Sequence, residues 1–231
     1  MKKVFLGVGH GGSDPGAMAN GLKEKDLNLS IALACRTELE RHGVQVLMSR
    51  YRDENDPLTE EIRECNAYAP DLAVDCHNNA GGGDGFEAYY SIVGGQSKLL
   101  ALNIEAEVKA IGQNSRGCKT RLNSYGTDWY GFVRETKAPA VLVECAFVDS
   151  KDVEVIDTEA ERKTMGIALA KGILKTLGIV WKAPAQPAQP LTSYGVWVAP
   201  ITKKEDAQKR QKEIWDKLGL WGVVKSADQV K

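Results

Sequence analysis

Short apolar runs alternate with longer segments of mixed polarity along most of the chain. Runs rich in valine, leucine and alanine predict strands at 3–8, 44–49, 72–77, 85–92 and 140–143. Apolar residues at helical spacing predict helices at 24–42, 58–69, 98–111 and 152–177, and the polar stretch 112–131 is predicted to be a loop. Because strands alternate with helices, we expect an α/β domain with a mixed, largely parallel sheet flanked by helices on both faces.

A segment rich in proline, alanine and glutamine separates this domain from the end of the sequence. Residues 182–190 predict an extended, semi-rigid linker. The chain therefore divides into a first domain, residues 1–181, and a small module, residues 191–231. The pattern of the module predicts a βαβ-like unit whose core is marginal at this size. We expect the module to dock on the first domain or to pair with a second copy, which would make the protein a homodimer.

Composition and charge exclude some classes of function. Apolar residues make up 43% of the chain, charged residues 26%, and the formal net charge is −1. This balance provides no overall attraction for nucleic acid. No apolar run approaches the roughly 18 residues of a membrane helix, so membrane insertion is not expected. Lys2 and Lys3 resemble the start of a signal peptide, but the apolar run after them breaks at Gly9. We therefore expect synthesis in the cytoplasm without a signal peptide.

Polar side chains follow three predicted strands at the point where each strand ends. These residues are His10, His77 and Glu144. The carboxyl ends of parallel strands meet at one edge of a sheet, where α/β proteins bind their ligands. Glu24 begins the first helix, just after the loop that follows His10. Catalytic zinc commonly takes three His, Asp or Glu ligands and leaves a fourth position for water. His10, Glu24 and His77 are therefore candidate zinc ligands.

Each of these residues has a simpler interpretation. A glutamate such as Glu24 in the first turn of a helix can merely complement the helix dipole, and a lone histidine in a glycine-rich loop can be structural. Glu144 is harder to dismiss, because a carboxylate within an apolar run is costly unless it is paired or functional. The five cysteines are odd in number and widely spaced, which favours reduced thiols. Side chains alternate along a strand, so we interpret Cys76 and Cys145 as packing residues that point away from the candidate site.

Four sequence segments together carry a resemblance to a known family. They are GHGGSDPGA at 9–17, GLKEKDLN at 21–28, HNNA at 77–80 and RETKAPAVLVE at 134–144. In this order and spacing they resemble the zinc-dependent N-acetylmuramoyl-L-alanine amidases of the type-3 amidase family. The resemblance covers residues 3 to about 178, which is essentially the whole first domain.

The resemblance implies specific roles for the candidate residues. It implies that His10, Glu24 and His77 bind Zn²⁺ and that Glu144 is the catalytic carboxylate. The family substrate is peptidoglycan, cut at the amide between N-acetylmuramic acid and L-alanine of the stem peptide. The chain departs from the family pattern at Asp75, where serine is more common, and at Ala146, where glycine is more common. Neither departure removes a ligand or the catalytic carboxylate.

Substrate contacts are predicted less directly. We expect Asn79 and the loop 112–131 to line the substrate groove. For Arg134 two roles remain open, contact with a substrate carboxylate or an ion pair that holds the loop. Residues 191–231 resemble half of a sporulation-related repeat, a peptidoglycan-binding module, and a packing or dimerising tail is the alternative.

The leading interpretation is thus a cell-wall amidase, and two other classes remain open. One is a zinc peptidase or deacylase that acts on another amide, and the other is a metal-free wall-binding protein. Because the chain resembles a wall hydrolase without a signal peptide, we expect a phage endolysin that acts on the wall after release. A bacterial autolysin of mother-cell lysis is the alternative.

Overall fold

A six-stranded mixed sheet forms the centre of the first domain. The computed structural model of the chain describes residues 1–184 and, beyond them, only Lys209 and Lys212. The sheet strands are β1 (Lys3–Val8), β4 (Gln45–Met48), β5 (Leu72–Asn79), β6 (Phe86–Tyr90), β7 (Ser115–Lys119) and β8 (Ala140–Phe147). A separate small hairpin consists of β2 (Met18–Ala19) and β3 (Leu22–Lys23). The order across the sheet is β4-β1-β5-β8-β6-β7. The first four are parallel, whereas β6 runs antiparallel to β8 and parallel to β7. The predicted fold class is confirmed.

Helices cover both faces of this sheet. The long helices α1 (Glu24–Arg41), α3 (Gly95–Ala110) and α5 (Glu159–Thr176) pack together over one face, where they form the main hydrophobic core. The shorter helices α2 (Leu58–Tyr68) and α4 (Gly131–Glu135) cover part of the opposite face with a smaller apolar cluster. Within residues 1–184 the second face is therefore only partly covered by helices.

The two cysteines beside the candidate site lie in the main core. Cys76 and Cys145 are buried among apolar side chains under the long helices. The five cysteines are all free. The prediction that Cys76 and Cys145 are packing residues is confirmed. Because side chains alternate along a strand, the neighbouring residues Asp75, His77 and Glu144 lie on the other face of the sheet.

Two elements differ from the expectation. The stretch 112–131 is not a loop throughout, because it contains strand β7, whose one partner strand among residues 1–184 is β6. The last helix begins at Glu159 rather than at residue 152. A 3-10 turn, Lys151–Val155, comes first, and Thr158 then starts α5 with a capping box in which its side chain and that of Glu161 bind each other's backbone N–H groups.

The chain divides into two compact units, Met1–Ala183 and Pro184–Lys231. Most of the predicted linker and, apart from Lys209 and Lys212, the predicted module, residues 191–231, lie outside the described residues. The βαβ-like unit and its pairing therefore stay predictions. Within residues 1–184, no helix is long and apolar enough to cross a membrane.

Candidate active site

The three predicted strand-end residues meet at one edge of the sheet. His77 on β5 lies directly opposite Glu144 on β8 in the parallel register. His10 follows β1, the other neighbour of β5, after a single intervening residue. Both strands continue beyond the predicted ends, to Asn79 and Phe147, so His77 and Glu144 are held by sheet hydrogen bonds rather than by flexible loops.

The loop that carries His10 has an unusual backbone. His10 has φ +64°, a left-handed conformation that costs a non-glycine residue free energy. Arg50 holds this part of the chain in place: its guanidinium is buried and donates hydrogen bonds to the carbonyls of Val8, Gly9 and Lys25. The loop is fixed so that the His10 ring lies near the edge of β5. Strained backbone conformations of this kind are concentrated at functional sites.

Glu24 lies between the two histidines. Its Oε2 atom is 3.2 Å from Nε2 of His10, and its Oε1 atom is 3.0 Å from Nδ1 of His77. The backbone N–H groups of Ala17 and Asn78 also donate to this carboxylate. Burial disfavours the charged carboxylate, but the hydrogen bonds from the two histidines outweigh burial and hold the pKa of Glu24 far below its usual range.

These three side chains fit a zinc ion. One ligand atom from each of His10, Glu24 and His77 lies within 4.8 Å of the others, and the described residues contain no second such group. Tetrahedral ligands about 2.0–2.1 Å from one zinc ion lie about 3.3 Å apart. The two histidine nitrogens lie 3.2 and 3.0 Å from the two different oxygens of the Glu24 carboxylate. Two imidazoles and a carboxylate are also a donor set that catalytic zinc uses.

A second carboxylate fixes each histidine ring from behind. Nδ1 of His10 is 2.8 Å from Oδ2 of Asp14, and Nε2 of His77 is 3.3 Å from Oδ2 of Asp75. Histidine ligands commonly donate their other N–H to a carboxylate, which sets the tautomer and the ring orientation. With the proton on these outer nitrogens, Nε2 of His10 and Nδ1 of His77 both present a lone pair to the centre of the group.

These carboxylates also favour the protonated histidines while no cation is present. The hydrogen bond with Glu24 raises the pKa of His10 against the effect of burial. Burial lowers the pKa of His77, but the Asp75 carboxylate and the hydrogen bond with Glu24 outweigh burial and raise that pKa well above its usual value. A cation would therefore compete with protons for this site.

Glu144 is a half-buried residue whose carboxylate has no hydrogen-bond partner among the described residues. Its Oε2 atom is inaccessible to solvent and unpaired. Burial, with further repulsion from Glu24, Asp75 and Glu87, raises the pKa of Glu144 to about 7, although the charge of His77 acts in the opposite direction. A carboxyl group near neutrality can both accept and release a proton at physiological pH, which is the requirement for a general base and acid.

A cavity of about 550 Å³ opens beside this carboxylate. His10, His77 and Glu144 line its floor, and Tyr130 and Leu142 contribute apolar wall. Its size lies within the range of small-molecule and peptide sites.

Gly9 allows the His77 ring to lie against the chain. A Cβ atom at this position would come within 2.1 Å of the ring carbon Cε1 of His77 and within 2.2 Å of its Nε2 atom. No side chain fits there unless the ring moves, so the glycine before His10 is required by the close approach of the two histidine segments.

The two predicted substrate-contact residues are placed differently. Asn79 lies at the end of β5, and its side chain donates to Glu87 at 3.4 Å. Arg134 donates to the backbone carbonyls of Asp128 and Trp129, at 2.8 and 3.0 Å. The ion pair of Arg134 is with the adjacent Glu135, at 2.7 Å. Arg134 therefore contacts the loop, as in the second role considered for it, but through carbonyl oxygens rather than through an ion pair.

Sequence reasoning missed several residues that support the site. Asp14 and Asp75 were visible only as parts of motifs, and their contacts with the histidines depend on how the loops fold. Glu61 on α2 is buried next to Asp75, although its surroundings in the sequence are those of an exposed helix face. For Asp75 a signal existed, because a charged residue in an otherwise apolar strand is costly unless it has a role.

The fold and the site together define a class of protein, an α/β protein with a candidate metal centre beside an acid–base carboxylate. The profile of the Amidase_3 family, described as N-acetylmuramoyl-L-alanine amidase, matches residues 4–175. The chain belongs to this family and is an N-acetylmuramoyl-L-alanine amidase, an enzyme of peptidoglycan degradation. The family is generally zinc-dependent.

Individual relatives agree with this assignment. The chain is 38% identical over 178 residues to the sporulation-specific N-acetylmuramoyl-L-alanine amidase of Bacillus subtilis (strain 168). This alignment covers 75% of this chain and 67% of the relative. It is 36% identical over 192 residues to the endolysin of Bacillus phage SPP1, and this alignment covers 79% of this chain and 68% of the relative. Among solved structures, the amidase AmiC2 of Nostoc punctiforme superposes with a TM-score of 0.70 at 27% identity, over 77% of this chain and 97% of that one.

Proposed function

We propose that this chain is a zinc enzyme in which His10, Glu24 and His77 hold Zn²⁺ and Glu144 is the catalytic acid–base residue. The bond cleaved is the amide between the lactyl group of N-acetylmuramic acid and L-alanine of the stem peptide. The observation that carries the proposal is the His/Glu/His group, in which each histidine lies 3.0–3.2 Å from an oxygen of the Glu24 carboxylate, next to the Glu144 carboxylate with its unpaired oxygen.

The chemistry divides between the cation and the protein. Bound at this group, Zn²⁺ supplies Lewis-acid polarisation of the scissile carbonyl and of a water molecule. Glu144 takes a proton from the attacking water and delivers it to the amine of L-alanine as the C–N bond breaks. Asp14 and Asp75 hold the two histidine rings throughout.

Product analysis tests the reaction directly. The purified full chain is incubated with peptidoglycan, with and without a chelator, and new N-terminal alanine and new reducing sugar are both measured. We expect new alanine amines without new reducing ends, loss of this activity on chelation and recovery with Zn²⁺. If zinc is bound but no alanine amines appear on walls of several chemotypes, the alternatives are a peptidase or deacylase that acts on another amide and a wall-binding protein without catalytic activity.

We further propose that the chain acts on the wall after release from the cytoplasm, as a phage endolysin. Its similarity to the endolysin of Bacillus phage SPP1 supports this setting. Its similarity to a sporulation-specific amidase supports the alternative, an autolysin of mother-cell lysis. Wall binding or pairing through residues 191–231 remains a prediction.

Controlled release tests this setting. The full chain is produced in the cytoplasm of a susceptible bacterium, and culture turbidity is followed before and after the membrane is permeabilised. We expect lysis only after permeabilisation. Lysis without permeabilisation would contradict release as the controlling step.

A further inference from the structure

Three acidic or metal-competent side chains lie side by side across the sheet. His77 on β5 is opposite Glu144 on β8, and Glu144 is opposite Glu87 on β6. Directly opposite residues share one face of a sheet. Neighbouring strands are about 4.7–4.9 Å apart, so each step along this row is about 5 Å. The row therefore runs from the candidate metal group, through the proton-transfer residue, to Glu87.

Glu87 differs from Glu144 because its charge is fully compensated. The carboxylate is buried, and its Oε1 atom accepts hydrogen bonds from Arg116 and from Lys119, the latter at 2.7 Å. Its Oε2 atom accepts from the Tyr89 hydroxyl at 2.8 Å. Burial opposes ionisation, but these donors outweigh burial and lower the pKa of Glu87. Glu87 is thus an ionised anchor and not a second proton carrier.

Two cations meet this single carboxylate, which leaves one positive charge in excess. Arg116 donates to Glu87 through Nε, and the described residues provide no hydrogen bond to its terminal nitrogens Nη1 and Nη2. Its guanidinium also lies over the Phe147 ring, with the central carbon 5.3 Å from the ring centroid. The Arg116 side chain remains 46% exposed and that of Lys119 36% exposed. The result is a guanidinium fixed at one nitrogen, with its other two available in solvent.

We propose that Arg116, assisted by Lys119, is a binding subsite for a carboxylate on the peptide side of the substrate. An arginine fork with two free terminal nitrogens matches a carboxylate, and a side chain already held in place loses less entropy on binding. The inference rests on the proposed function, since it assumes that an acylated peptide amine is the leaving group.

The order His77, Glu144, Glu87 across the sheet indicates why the stem peptide of the substrate would lie next to Arg116. The scissile carbonyl belongs next to the metal group at His77, and the departing amine belongs next to Glu144, which protonates it. The leaving chain then continues past Glu144 towards Glu87. Arg116 reaches back to the Glu87 carboxylate, so its guanidinium lies about one strand spacing beyond Glu144. One residue spans about 3.8 Å, which places the carboxylate of the second stem-peptide residue within reach of Arg116.

The test changes only the substrate group that Arg116 is proposed to bind. Two preparations of soluble peptidoglycan fragments are used, identical except that the second stem-peptide residue carries a free α-carboxylate or its carboxamide. Values of kcat and KM are measured for the wild type and for Arg116→Gln, Arg116→Lys and Lys119→Gln. Lys163→Gln removes one exposed cation from α5, under the other face, and is the matched control.

We expect Arg116→Gln to lower kcat/KM on the carboxylate substrate by about 10- to 100-fold, mainly through KM, because a hydrogen-bonded charge pair is lost. On the carboxamide substrate the same variant should stay within about twofold of the wild type. Arg116→Lys should restore part of the difference, Lys119→Gln should show a smaller loss of the same kind, and Lys163→Gln should show none.

Two results would overturn the subsite. An equal loss on both substrates would mean that Arg116 acts only by supporting Glu87, and no loss on either would mean that substrate does not reach it. If the wild type releases alanine amines from neither preparation nor from whole walls, the proposed function fails instead, so the two failures are distinguishable.

Discussion

Strands β5 and β8 have two sides with opposite characters. On one side Cys76 and Cys145 are buried among apolar residues under the long helices. On the other side Asp75, His77 and Glu144, their immediate neighbours in sequence, face a cavity lined by further carboxyl groups. The same backbone thus carries a close-packed core and a polar site, one residue apart. The difference shows that here strand alternation, rather than separate elements, divides stability from chemistry.

Unpaired polar atoms are concentrated on the second side. Within the described part of the chain, the buried side-chain oxygens without a hydrogen-bond partner belong to Asp56, Glu61, Asp75, Asn78 and Glu144. All of these except Asn78 line the cavity. Burying polar atoms without partners costs free energy, and such groups are uncommon in native proteins. Their clustering around the histidines is what a functional site, rather than a core, would require.

The largest effect is expected on the polar side. Glu144→Gln keeps the shape of the side chain but removes its ability to accept a proton, so kcat should fall by about 10²- to 10⁴-fold. Zinc content, measured by elemental analysis of the purified protein, should stay at the wild-type value because the three ligands are intact. The melting temperature should not fall, since a buried unpaired charge is removed. A near-normal kcat would contradict the assigned role of Glu144.

The apolar side should respond in the opposite way. Ile173 on α5 is completely buried in the main core. Ile173→Ala should lower the free energy of unfolding by about 2–5 kcal/mol, because it removes buried methylene groups and leaves a cavity. At a temperature where the variant is folded, kcat/KM should match the wild type. Denaturant unfolding and kinetics on the same sample check both parts, and a large kinetic defect in fully folded protein would contradict the separation of the two sides.

A third comparison uses adjacent residues that point in opposite directions. Asp75 holds Nε2 of His77, so Asp75→Asn should weaken zinc affinity by about 10- to 100-fold. Cys76→Ala, one residue further on, changes only the core side and should leave zinc affinity unchanged. Competition with a chromogenic chelator measures both affinities. Equal affinities for wild type and Asp75→Asn would show that the His77 ring needs no support from this carboxylate.

Much of this arrangement was readable from the sequence. The strands that end near His10, His77 and Glu144 are short apolar runs, and a polar residue at the end of such a run stands out against its surroundings. Because parallel strands bring their carboxyl ends to one edge, the grouping of these residues also followed. The assignment of Glu24 as a metal ligand depended on the family resemblance, because a glutamate at the start of a helix commonly only complements the helix dipole.

Other parts could not be predicted, for identifiable physical reasons. Strand β7, Ser115–Lys119, has a polar sequence with a central glycine and lies at an edge of the sheet that the described residues form, so no apolar alternation marks it. Arg50 and Glu61 are buried charged residues whose partners come from distant segments. Local periodicity places such residues on the surface, and only the tertiary structure reveals what compensates their burial.

Measured per pH unit, the smallest expected effect concerns Glu61, which lies against Asp75 on the polar side. Burial, with repulsion from Asp75 and Asp56, raises the pKa of Glu61 well above its usual value, so the folded state retains a proton that the unfolded state releases. As the pH rises from about 4.5 towards this raised pKa, wild-type stability should therefore fall relative to Glu61→Gln, by at most about 1.4 kcal/mol per pH unit. Urea unfolding of the metal-free proteins between pH 4 and 8 measures the difference. Parallel stability curves would mean that Glu61 ionises alike in both states, and the polar side would then carry less strain than its unpaired oxygens indicate.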